Sequence, residues 1–176
     1  MKRPRQFDVC FIENDILYAS NTYLGGVWMG GLFTKIDIHK NQPLCQYTGK
    51  ILTKNEELSS SSEYLMKVSD PKDRRRKLTI DGDPSKFNNI SAYANYTDNK
   101  YANAIFIDQT KKNEHSNITL IAKEFIPKGT EIRVDYDMGS SAHPFRDMMI
   151  QKGIYNHDDC KTYKQIKWQQ PSHLSI

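Results

Sequence analysis

At 176 residues and 20.4 kDa the chain has the length of one ordinary domain with a short extension, which excludes a multidomain machine. With 38% apolar, 26% charged and 11% aromatic residues and a mean hydropathy of -0.71, it is polar for a globular protein yet has bulk enough for a core, so wholesale disorder is excluded as well. The 25 Lys and Arg against 21 Asp and Glu leave +4, a mild preference for an acidic partner.

Residues 1–14 read as a basic lead-in, Met1-Lys2-Arg3-Pro4-Arg5, without the apolar stretch of a signal peptide. No later apolar run reaches the roughly 18–20 residues of a membrane span, so no membrane contact and an intracellular location are expected. Residues 15–138 read as a mainly β domain. Gly25 to Gly31 is glycine-rich backbone leading into a strand over 32–38, and Leu44 to Tyr47 follows a proline. Tyr64 to Val68 and Leu78 to Asp81 flank a turn-rich basic run, Lys72-Asp73-Arg74-Arg75-Arg76-Lys77. Ala104 to Ile107, Asn117 to Ala122 and Thr130 to Tyr136 complete about seven short strands. The stretches 54–63, with its serine run, and 109–116 read as exposed loops. Residues 139–176 change character: Asp158 or Asp159 is placed to cap a helix carrying Cys160, Tyr163 and Ile166 on one face, with Pro171 beyond Trp168.

Cys10, Cys45 and Cys160 stand far apart, in no metal-ligand spacing, so they read as structural thiols and no metal site is expected. The two basic clusters read either as solvated loops or as contacts to nucleic acid or an import receptor. The glycine cluster is either a plain turn or a place where backbone approaches a polar cofactor closely. Ser91 to Ala104 is polar and aromatic; its Asn95 and Asn103 are placed to fix loop backbone, and Asn95 alternatively to accept from and donate to an amino-acid or adenine moiety. Tyr136, flanked by Asp135 and Asp137, ends the last strand and is a rim residue unless a site surrounds it.

Taken in order, these segments resemble the SET-domain family of protein lysine methyltransferases. Gly30-Gly31-Leu32-Phe33 is similar to that family's G-x-G-L-F loop, and Gln46 to Ile51 to its E-Y-x-G-x-x-I strand. Tyr64-Leu65 with Leu78 to Gly82 resembles its Y-L and I-D-A/G hairpin. Ala92 to Thr97, closed by Asn103-Ala104, resembles R-F-x-N-H-S and P-N-A, and Gly129 to Tyr136 resembles G-E-E-L-T-Y-D-Y. Met29, Ala92, Tyr96, Thr97 and Ala102 depart from the pattern, at the first loop glycine, the Arg, the His-Ser and the Pro respectively. A zinc-binding cysteine cluster after the last motif is absent too.

The resemblance implies a SET-domain (β-clip) fold of short strands and small sheets with a C-terminal helical segment. It implies transfer of a methyl group from S-adenosyl-L-methionine to a protein lysine, with histone tails as substrate class and the nucleus, or a host nucleus for a viral chain, as location. Tyr136 is then the catalytic tyrosine. Tyr47, Tyr64, Tyr155 and Trp168 line the substrate channel, and residues 139–176 close it, Phe145 and Tyr163 also being candidates. Met29, Gly30, Gly31, Asn95 and Tyr96 hold the cofactor; Ala92 lacks a side chain to pair with its carboxylate. Arg74, Arg75 and Arg76 are candidates for nucleosome or nucleic-acid contact. The departures leave two other readings open: a SET-like binding module without transfer, and a basic nucleic-acid-associated protein.

Overall fold

In the computed structural model the described residues are 13–24, 27–137, 147 and 151, and of Leu24, Val27 and Trp28 only the backbone. Among these residues ten strands form three small sheets. The first holds β1 (Leu17–Leu24), β2 (Val27–Thr34), β10 (Glu131–Val134) and β7 (Asn95–Tyr96), in the order β1-β2-β10-β7. The second runs β3 (Pro43–Gln46), β9 (Ile118–Ala122), β8 (Ala104–Asp108). The third runs β4 (Lys50–Leu52), β6 (Lys77–Asp81), β5 (Leu65–Ser69). Among the described residues helix is confined to α1 (Lys54–Ser59) and a 3-10 turn over Ile90–Tyr93, with Asp147 and Gln151 also helical. The mainly β, small-sheet architecture is as expected.

β1 and β2 form a long antiparallel hairpin from Leu17↔Thr34 to Leu24↔Val27. Because side chains alternate along a strand, Leu17, Ala19 and Leu32 share one face with Ile132 and Val134 of β10 and are buried there. Ile38, Val68, Ile118, Leu120 and Ile126 extend this core under the other sheets. β10 sits between β2, antiparallel, and β7, parallel, and so ties the hairpin to the 90–104 segment.

Three expectations are corrected. The strand expected over 32–38 is β2, which starts at Val27 and ends at Thr34. Thr34 is held by the turn at Pro127 to Gly129: its hydroxyl donates to the Pro127 carbonyl (2.9 Å), and Gly129, at φ +77, donates its N–H to the Thr34 carbonyl. The chain beyond crosses to another partner, Ile38↔Ile126, so one strand cannot continue. Consequently Met29, Gly30 and Gly31 lie within a strand and not in a loop. Residues 54–59, expected as loop, are helical because Thr53-x-x-Glu56 is a capping box: the Thr53 side chain accepts from the Glu56 N–H, and the Glu56 carboxylate accepts from the Thr53 N–H (2.8 Å). The last strand stops at Val134, leaving Tyr136 just past its end. The lead-in through residue 12 and the expected helix at 158–168 lie outside the described residues.

Candidate active site

Each of the three tyrosines expected to shape the channel comes from a different sheet. Tyr47 follows β3, Tyr64 precedes β5 and Tyr136 follows β10, so they meet only where the three sheets abut. The Tyr47 hydroxyl donates to the Tyr64 carbonyl at 2.6 Å, and its ring meets Phe106 edge-on at 5.7 Å. The Tyr136 hydroxyl donates to the Ala94 carbonyl at 2.7 Å, and its ring packs edge-on against Tyr96 at 5.6 Å. Tyr136 is 41% exposed as a residue, and its hydroxyl points inward to the Ala94 carbonyl.

Burial pushes the Tyr47 phenol well above the usual tyrosine range, and the nearby Tyr136, Asp81 and Tyr64 push it further, against a lowering contribution from Asn89. Desolvation likewise raises Tyr136, with Tyr64 adding to it, and raises Tyr64, with Asp83 and Glu63 adding. All three hydroxyls thus stay protonated at neutral pH. They orient and donate; they are poor bases.

The scaffold beneath Tyr47 is set by close backbone approach. A Cβ on Gly82 would stand 2.5 Å from Tyr47 Cε1 and would overlap Asn89 Nδ2, while one on Gly49 would overlap the Asp81 carbonyl. Asn89 is fully buried; its amide donates to the Gly82 carbonyl (2.9 Å), and its Oδ1 accepts from Ser91 Oγ (2.6 Å). Ser62 Oγ donates to Asp81 Oδ1 (2.6 Å) and accepts from the Tyr64 N–H, which fixes the start of β5. Reasoning from sequence missed Asn89. Its signal was the glycine at 82, which marks a neighbour close by.

On the other side of Tyr136, the first sheet brings the glycine segment against Asn95. Asn95 Nδ2 donates both hydrogens, to the Gly30 carbonyl (2.9 Å) and to Glu131 Oε1 (3.1 Å), so its Oδ1 is left to accept. Glu131 Oε2 accepts from Thr22 Oγ1 (3.1 Å) and Arg133 Nη2 (2.6 Å), an ion pair whose side chains are only 9% and 6% exposed. A Cβ on Gly31 would meet Glu131 Oε1 at 2.8 Å and Thr22 Cγ2 at 2.9 Å, so the glycine there makes room for this carboxylate. Met29 is half-buried on the same strand. Tyr96 is buried, its hydroxyl 3.2 Å from Asp98 Oδ1 and 3.4 Å from Asp137 Oδ2, so its ring braces Tyr136. Asn103 acts on backbone: its side chain donates to the Glu131 carbonyl (2.8 Å) and accepts from the Arg133 N–H (2.9 Å), as a neighbouring strand would.

The structure therefore brings Tyr47, Tyr64 and Tyr136 together, and separately Gly30, Gly31 and Asn95. Phe145, Tyr155, Tyr163 and Trp168 lie outside the described residues. Arg74, Arg75 and Arg76 are exposed at the β5–β6 turn, away from the tyrosines. Thr22 and the pairing of Glu131 with Arg133 were not foreseen, because β1 itself was not. Among the described residues no helix is long and apolar enough to cross a membrane.

Three small sheets closing on a tyrosine-lined junction, with glycine backbone against an Asn amide, define the fold. A family model described as the SET domain matches residues 30–137, and the chain belongs to the SET-domain family. That family consists in general of protein lysine methyltransferases using S-adenosylmethionine. Among solved structures, ATXR5 in complex with a methylated histone H3.1 is similar at 21% identity and TM-score 0.57, over 70% of this chain and 57% of that one. The Chaetomium thermophilum polycomb repressive complex 2 is similar at 19% identity and TM-score 0.57, over 71% and 15%. The methyltransferase domain of human histone-lysine N-methyltransferase SETMAR is similar at 22% and TM-score 0.51, over 62% and 41%. At these identities the likeness is one of fold, and the chain spans less than two thirds of each of these proteins. No curated protein matches the chain.

Proposed function

We propose that the protein transfers a methyl group from S-adenosyl-L-methionine to a lysine side chain of a protein, with histone tails as the substrate class and the nucleus as its place of action. The observation carrying this reading is the convergence of Tyr47, Tyr64 and Tyr136 from three sheets beside the Gly30–Asn95 junction. The residues present suit the cofactor's cationic end. Asn95 Oδ1 is an acceptor with no donor among the described residues. For the cofactor's carboxylate Ala92 offers nothing, and Arg133 is turned to Glu131. When bound, the cofactor supplies an electrophilic methyl on a sulfonium.

The chain's own residues then have two tasks. The lysine amine has to arrive neutral, at a cost of about 4 kcal/mol at pH 7.4 for an ordinary pKa near 10.4. Desolvation among the tyrosine rings lowers that cost. The Tyr136 oxygen, its proton committed to the Ala94 carbonyl, presents lone pairs to an amine N–H and so orients the nitrogen lone pair for in-line attack. Tyr47 and Tyr64 wall the passage, with Tyr155 and Trp168 assigned to its outer side. Met29, Gly30, Gly31 and Asn95 are assigned to the cofactor, and Tyr96 to it through backbone. Arg74, Arg75 and Arg76 are assigned to nucleosome contact.

Thermal melting with added cofactor tests the binding step. Ligand at roughly 100 times Kd adds about 2.7 kcal/mol to the native state, which raises Tm. Mass spectrometry of histones after incubation with protein and cofactor tests transfer: added methyl mass on lysine is expected. A Tm rise without transfer would leave the binding-module reading in its place, and no Tm rise would overturn cofactor use.

A further inference from the structure

Two loops from different sheets meet at the basic turn. The β5–β6 turn carries Lys72, Arg74, Arg75 and Arg76, with Lys77 opening β6; the β8–β9 loop carries Lys111 and Lys112. They are joined by a bond from the Asn113 N–H to the Pro71 carbonyl (2.9 Å) and by Asp108, whose Oδ2 accepts from the Ser69 N–H (2.8 Å) and lies 4.0 Å from Lys77 Nζ. Asn113 takes φ +62, a left-handed turn that seats this contact. The carboxylates nearby are engaged: Asp73 with Arg75, Glu114 with Lys111, Asp108 with Lys77, and Asp70, itself buried, with the Lys72 N–H. Lys72, Arg74, Arg76 and Lys112 are exposed and have no carboxylate partner among the described residues.

We infer that these two loops form one composite surface for the phosphate backbone of duplex DNA. The inference deepens the nucleosome contact assigned above by adding the second loop and by fixing the class of partner. Residues 70–77 and 108–116 contain no Phe, Tyr or Trp. Single-stranded nucleic acid is held by bases stacked on such rings, whereas guanidinium and ammonium groups alone suit duplex phosphates, which fix a protein on DNA without reading its bases. The turn lies at the opposite end of five-residue β5 from Tyr64, about 17 Å along the strand at 3.3 Å per residue. An extended peptide crosses that distance in about five residues. A lysine on a tail leaving DNA held here therefore needs at least that much slack to reach the tyrosines.

Fluorescence anisotropy with a labelled duplex of arbitrary sequence, in the absence of cofactor and peptide, tests this independently of methyl transfer. Neutralising four phosphates gives a slope of log K against log salt of about −3.6. The triple variant Arg74→Ala/Arg76→Ala/Lys112→Ala should lose about 2.7 of that slope, and the corresponding triple Gln variant, which keeps side-chain bulk, should match it. Both should melt as the wild type does, since these side chains make no bonds in the fold. Three results would overturn the inference: an unchanged slope in both variants, tighter binding of single strands than of duplex, or displacement by polyglutamate at equal charge concentration, which would point to an acidic protein partner.

Discussion

Replacing Tyr136 by Phe removes one oxygen and leaves the ring. The edge-on packing against Tyr96 at 5.6 Å is kept, and the structural cost includes that of the bond to the Ala94 carbonyl. Leaving a partly buried acceptor without its donor costs about 1–3 kcal/mol. A domain with a stability of about 5–15 kcal/mol tolerates that loss. The kinetic cost is larger: removing one preorganised group that acts on the reacting atoms lowers turnover by about 10²–10³, or about 2.7–4 kcal/mol. Steady-state transfer to a histone-tail peptide, calorimetric titration of the cofactor and urea denaturation would be measured side by side. The expected pattern is a modestly lowered urea midpoint, nearly unchanged cofactor affinity and turnover down by at least a hundredfold. Turnover within threefold of wild type would refute the orienting role, and loss of folding together with cofactor affinity would make Tyr136 a structural residue.

Gly82→Ala pushes a methyl group into the Tyr47 ring and the Asn89 amide, and overpacking of this kind costs about 1–3 kcal/mol; urea denaturation should show it, and a variant as stable as wild type would contradict the packing described. Glu131→Ala removes the buried carboxylate shared by Arg133, Thr22 and Asn95 and should cost about 3–5 kcal/mol, whereas Glu131→Met combined with Arg133→Leu should recover part of it; equal losses in both would refute the ion-pair account. The tyrosine pKa values raised in the fold predict alkaline sensitivity. With a folded pKa above the unfolded 10.0, the contribution of Tyr47 is intact below pH 10 and is lost as pH rises, by up to about 1.4 kcal/mol per unit. Melts from pH 8 to 11 should decline beyond 10, and a flat profile would count against burial of that hydroxyl. Burial also pushes the Cys45 thiol up to about 12, so at pH 8 it should resist iodoacetamide in the native protein and react once unfolded.

The strands most legible in the sequence were those whose alternation is bounded by turn chemistry. Ala104 to Ile107 and Asn117 to Ala122 became β8 and β9 within a residue or so, because turn-forming residues flank them. β1 gives little signal of its own, since Tyr18, Ser20 and Thr22 alternate with Leu17, Ala19 and Asn21 too weakly to mark a strand without its partner. The same limit hid the Glu131–Arg133 pair. Glu131 and Arg133 are two residues apart, so one strand face is implied, but a charged pair on such a face ordinarily meets solvent. Only the placement of β10 between β2 and β7 buries it. The tyrosines were found through motif order, yet nothing in their spacing says that three sheets are needed to bring them together. Asn89 escaped because a buried amide and a turn-forming Asn look alike in sequence.

The central place of β10 has a consequence for how the chain comes to be folded. The hairpin of β1 and β2 emerges early in synthesis, but its inner edge is completed only by residues 131–134, and Thr22 meets Glu131 across 109 positions of sequence. At about 5–20 residues per second, translation leaves that edge open for roughly 5–20 seconds. An unpaired edge is a template for other strands, and its long loop has to close before pairing is rewarded. Until the last strand arrives, the sheet that carries the glycine segment has a vacant position at its centre. Yield during expression should therefore depend on temperature and on chaperones that occupy strand edges, and a chain released before Val134 should be recovered from the insoluble fraction.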